Sequence, residues 1–101
     1  MLSLMTNPSD MGRELAGRAR LLRIELSWTQ LELARRAGIA LSTLRHFERT
    51  GRISLERLLM IASALRALEA FEGLLRLPRA SSLAEIEARQ TKRQRGRRGS
   101  R

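Results

Sequence analysis

The sequence predicts an all-α fold, a compact set of five short helices followed by a basic tail. Three observations carry this. Apolar residues make up 43% of the 101 residues and are nearly all Leu, Ala and Ile, with two Phe, one Trp and no Tyr, a mixture that favours helix over strand. Apolar positions recur at helical spacing through successive segments. Those segments open on Asn, Thr or Ser and close on Gly or Pro, the punctuation of helix ends.

The elements follow in chain order. Residues 1–9 read as a flexible leader, and Asn7-Pro8-Ser9-Asp10 as a turn and helix-start signal. A first helix is expected over about Met11 to Leu26, with Leu15, Ala19, Leu22 and Leu26 on one stripe. Ser27-Trp28 breaks it. Thr29 can cap a second helix, Gln30 to Ala37, and Glu32 three residues on completes a capping box. Leu33, Ala34 and Ala37 share its inner face, and Gly38 frees the backbone for a sharp turn. After Ile39 a third helix runs from about Leu41 to Arg49. Leu44 and Phe47 face inward, while Leu41, Ser42, Arg45, His46 and Arg49 face out. Ser54 caps a fourth helix, about Leu55 to Leu68, with Leu58, Leu59, Ile61, Ala62 and Leu65 inward. A short fifth covers about Glu69 to Leu75, and Pro78 closes the domain, 10–78. Ser82 with Glu85 forms another capping box, so a short helix is expected at 83–91 within the tail, 79–101.

Charge separates body from tail. The net charge is +10; residues 1–88 hold thirteen Arg against all ten acids, or +3, and residues 89–101 hold seven Lys or Arg and no acid, or +7. Low complexity predicts that this tail is disordered alone. A polycation of this kind suits nucleic acid, an acidic protein groove or an anionic membrane surface, and equally a purely solubilising role. There is no Cys, so no disulfide framework and no thiolate chemistry, which fits a cytoplasmic setting. No apolar run approaches the roughly 20 residues of a membrane span, and the first eleven residues lack the basic and apolar regions of a signal peptide. With one His and one Asp, and no glycine-rich phosphate loop or metal spacing, an enzyme is not expected and neither is a cofactor or metal.

The most informative stretch is Thr29 to Gly51, two short helices about a glycine turn. Ala34 and Ala37 let them cross closely, which is the spacing of a DNA-binding helix-turn-helix. A short helix that points its first half into the major groove sets side chains against base edges. Arg45 is the best reader, because a guanidinium donates bidentately to guanine. Ser42 can donate or accept, His46 can meet an acceptor or a phosphate, and Arg49 reaches either base or backbone. Thr43, Arg20 and Arg52 are candidates for phosphate contacts. Each Arg is equally readable as a solvated surface charge.

Thr29-Gln30, Glu32-Leu33-Ala34, Ala37-Gly38-Ile39, Ser42-Thr43-Leu44 and Phe47-Glu48-Arg49 with Gly51 resemble the phage repressor and Cro-type (XRE) family over about residues 12 to 75. The resemblance implies a compact repressor-like helix-turn-helix domain. It also implies that Gln30 contacts a phosphate and that Arg23 and Glu48 form a partly buried ion pair between helices 1 and 3. Leu41 falls where the family often has Gln or Arg, and would pack on a thymine methyl. Leu31 replaces a residue that is usually polar, and Trp28 a smaller apolar one, where it would plug the core under the corner between helices 1 and 2.

One helix in one groove binds weakly, and two half-sites about 34 Å apart read by a two-fold dimer bind well. Ile53, Leu68, Phe71, Leu74, Leu75 and Leu77 offer material for a homodimer interface, or else cover the core of a monomer. Two functions fit: a dimeric repressor on an inverted-repeat operator in double-stranded DNA, and the antitoxin half of a toxin–antitoxin pair. For the second the chain is similar to HipB-type antitoxins, which partner a HipA-type kinase toxin and repress their own operon. The similarity rests on the single domain, Ile53 to Leu59, Phe71 to Leu77 and the Arg-rich end. The alternative is a stand-alone regulator with no toxin partner, and a further one is a binder that works through the tail alone.

Overall fold

The computed structural model describes residues 7–78 and the helical residues 87, 88, 90 and 91. The expected leader therefore falls largely outside the described residues, as does most of the tail; of the helix expected at 83–91, the described residues 87, 88, 90 and 91 are helical. Among the described residues the chain is all-helical. Its elements are α1 (Pro8–Glu25), α2 (Gln30–Ala37), α3 (Leu41–Thr50), α4 (Leu55–Ala64) and α5 (Glu69–Glu72).

Local chemistry sets each boundary. Asn7 caps α1: its Oδ1 accepts from the Asp10 N–H at 2.7 Å while its Nδ2 donates to Asp10 Oδ2 at 2.9 Å. Pro8 supplies a first-turn residue that needs no N–H acceptor, so the helix starts three residues before the expected Met11. Thr29 Oγ1 accepts from the Glu32 N–H at 3.0 Å. Gly38 ends α2 at φ 74°, and the Ile39 N–H returns to the Ala34 carbonyl at 3.0 Å. Gly51 ends α3 at φ 80°. Ser54 caps α4. That helix stops at Ala64 rather than Leu68, because Arg66 turns left-handed at φ 59° and the Ala67 N–H closes on the Ala62 carbonyl at 2.8 Å. The fifth helix is shorter than expected and ends before Gly73.

Phe47, Leu33, Leu44 and Ile61 fill the centre, each at most 1% exposed, ringed by Ala16, Ala19, Ala34, Ala37, Ala62 and Leu65. Helix α3 packs on α1 and on α2, and α2 packs on α4. The inner face of α1 keeps only part of the expected stripe: Ala19 is buried and Leu15 half-buried. Ala16 and Ala19 are the buried positions, and Leu22 and Leu26 are 42% and 46% exposed. The reason is close approach. A Cβ on Gly12 would lie 2.7 Å from the Gly51 carbonyl oxygen, and one on Gly51 would lie 2.5 Å from the Gly12 carbonyl carbon. Backbone touches backbone where α1 meets the end of α3, and only small residues fit that seam. The leucines flank it instead: Leu15 and Leu22 join Met11, Leu58, Phe71 and Leu74 along an apolar groove of about 500 Å³.

Candidate nucleic-acid interface

Burial of Leu44 and Phe47 fixes the rotation of α3 about its axis and turns Ser42, Arg45, His46 and Arg49 to solvent. Thr43 is half-buried at the edge of that face. Leu41 differs from expectation: it is half-buried and packs on the hydrophobic core, because the first turn of α3 leans inward after Ile39. Its side chain is therefore only partly available to a base. Arg52 is exposed in the loop that follows, where its N–H donates to Thr50 Oγ1 at 3.1 Å.

Beneath the exposed face sits one carboxylate. Glu48 is 5% exposed at the side chain and Arg23 12%, and they form a fork: Nε to Oε2 at 2.8 Å and Nη2 to Oε1 at 3.1 Å. The remaining arm of Arg23, Nη1, donates to the Trp28 carbonyl at 2.8 Å, and Gln30 Nε2 donates to Glu48 Oε1 at 2.9 Å. Four residues from α1, the first corner, α2 and α3 thus share one network, with every strong donor matched to an oxygen. Gln30 spends one amide hydrogen on Glu48 and keeps a second for an outside acceptor.

With Glu48 neutralised by Arg23, the exposed cations around it carry the local field. Arg20, Gln30, Arg45, Glu48 and Arg49 line a shallow depression of about 320 Å³, and among the described residues Arg20, Arg45 and Arg49 make no ion pair. Arg49 Nη2 lies 3.4 Å from His46 Nδ1. Sequence reading did not single out the start of α3. Ala40 provides no side-chain cap and the first turn holds no acid; the Thr43 N–H turns back to the Ala40 carbonyl at 3.1 Å, which leaves the Leu41 and Ser42 amides to meet an incoming anion. The signal was present: Ala stands where the other long helices have Asn, Thr and Ser.

The expected dimer residues divide. Leu68, Leu74, Leu75 and Leu77 are exposed, Leu75 completely. Phe71 is half-buried in the apolar groove. Ile53 is half-buried in the loop after Gly51 and packs against the core, which leaves part of its side chain exposed.

The family profile for helix-turn-helix domains matches residues 20–70, which spans α2, the turn, α3 and α4. The chain belongs to the XRE-type helix-turn-helix family. No curated protein and no solved structure matches it. This helix-turn-helix protein therefore carries the DNA-binding domain of a transcriptional regulator. Among its described residues no helix is long and apolar enough to cross a membrane, and no three His, Cys, Asp or Glu side chains group to hold a metal ion.

Proposed function

We propose that the protein is a sequence-specific repressor that binds an inverted repeat in double-stranded DNA as a homodimer, in the cytoplasm, with α3 in the major groove. The observation that carries this is the trio Arg20, Arg45 and Arg49, without ion pairs among the described residues, around a carboxylate that is already satisfied. Arg45 reads a guanine, with Ser42, His46 and Arg49 beside it, and Leu41 adds an apolar edge contact at the first turn. Gln30, Thr43, Arg20 and Arg52 hold phosphates. The exposed Leu68, Leu74, Leu75 and Leu77, next to the groove that holds Phe71, support the second subunit. Selection from a random duplex pool, followed by footprinting, tests the reading. The expected product is an inverted repeat with half-sites about one helical turn apart. A pool that stays random overturns it.

A finer version makes this repressor an antitoxin that also holds a HipA-type kinase. The similarity of residues 53–59 and 71–77 to such antitoxins is its support. Affinity capture from native extract after nuclease treatment separates the versions. A retained kinase favours the antitoxin, and recovery of the chain alone favours a stand-alone regulator.

A further inference from the structure

The face formed by the ends of three helices carries a further cavity that the DNA-binding reading does not use. Leu26 at the end of α1, Arg36 and Ala37 at the end of α2, and Met60, Ser63, Ala64, Leu65 and Arg66 at the end of α4 surround it. Trp28 forms one wall, and the volume is about 660 Å³, within the range of small-molecule pockets. No residue of α3 lines it, so an occupant and DNA do not compete for space.

We infer that this cavity binds a small amphipathic carboxylate. The floor is apolar, made by Leu26, Met60, Ala64 and Leu65. The rim supplies donors: the Ser63 hydroxyl and the guanidiniums of Arg36 and Arg66. Arg36 lies 4.3 Å over the Trp28 ring centre and is shared with Glu32, so it stands fixed beside the wall. Arg66 is exposed, and among the described residues it makes no ion pair. Helix ends of this polarity ordinarily repel anions. Here several of the last-turn carbonyls are engaged: Trp28 N–H bonds the Arg23 carbonyl, Ile39 N–H bonds that of Ala34, and Arg66 and Ala67 N–H bond those of Ser63 and Ala62. That engagement weakens the opposition to an anion, and the guanidiniums of Arg36 and Arg66 supply the attraction. Both corners that frame the cavity, Ser27 and Arg66, are non-glycine residues at φ 62° and 59°, which hold Trp28 and the Arg66 side chain in place at the cost of backbone strain.

Trp28 is the sole tryptophan and reports directly on the cavity. The full-length protein, without DNA, is titrated with 4-phenylbutyrate while Trp28 emission is followed, and calorimetry gives an independent isotherm. The expected result is a saturable change with half-saturation on the order of 1 mM or tighter. Affinity should fall about tenfold or more in Arg66→Gln and again when 4-phenylbutanol replaces the acid, since each removes a charge-assisted contact. Absence of saturation, or equal binding of acid and alcohol to the unaltered protein, overturns the inference. Because DNA is absent throughout, either result leaves the repressor reading to its own test.

Discussion

Glu48 and Arg23 have few alternatives to each other. Both side chains are nearly buried and joined by two short bonds, so removal of one strands the other's charge. Glu48→Ala is expected to destabilise the fold by about 3–5 kcal/mol, while the double change Arg23→Met with Glu48→Leu recovers most of that loss, since apolar replacement of a buried pair is often neutral or better. Denaturant unfolding of the two singles and the double measures this; an additive double would show that the pair is not coupled. Arg45 belongs at the same scale. It is exposed and unpaired, so Arg45→Ala should leave stability within about 0.5 kcal/mol. It should cost about 1–3 kcal/mol of discrimination at one base position, read by competition binding against single-base variants of the selected site. Unchanged preference removes Arg45 as a reader.

At the scale of elements, the open start of α3 separates stability from binding. Ala40→Asp adds the missing cap and should raise stability by about 0.5–2 kcal/mol. The same carboxylate faces the phosphates that α3 approaches, so DNA affinity should fall. Thermal melting and binding isotherms on one variant check both signs, and a joint rise would show that this helix end does not approach a phosphate. The seam between α1 and α3 gives the complementary case. Gly12→Ala drives a Cβ into the Gly51 carbonyl and should cost about 1–3 kcal/mol, as overpacking does. How far these elements were legible follows from what a linear pattern contains. Caps at Thr29 and Ser54, the turn at Gly38 and the inward Leu44 and Phe47 depend on neighbours a few residues away, and they could be read. The inner face of α1 could be read only in part, at Ala19, because the choice of small residues over Leu22 and Leu26 is made by Gly51, thirty-nine positions along from Gly12. The half-burial of Leu41 and Ile53 was not legible for the same kind of reason: exposure at the end of a helix depends on how the neighbouring turn packs. The matching of Gln30 to Glu48 needs the Arg23 fork already in place, and spacing alone does not reveal it.

For the whole molecule, the separation of a +3 body from a +7 end divides the electrostatics of binding. Deletion of residues 89–101 should leave the selected sequence unchanged and reduce the steepness of log K against log salt, by up to about 6 if all seven cations neutralise phosphates at about 0.9 each. An unaltered slope would show that the tail lies elsewhere. The exposed leucines of the 68–77 stretch predict a concentration-dependent mass: sedimentation should show a dimer that Leu74→Glu with Leu75→Glu converts to monomer, with DNA affinity lost in parallel. A protein that stays monomeric at every concentration would assign those leucines no such role.

The glycine seam has a mechanical consequence. A rod held at one point can swing in any direction, whereas a rod held at two can only turn about the line between them. Helix α3 is held to α1 by backbone contact at Gly12 and by the fork at Arg23, eleven residues apart on α1 and hence about 16 Å along its axis. On α3 the two holds, Gly51 and Glu48, both lie at its C-terminal end, so that end is the one pinned against α1. A force on the outer side of α1, where Leu21 and Ile24 are exposed, therefore reaches the reading helix through its C-terminal end.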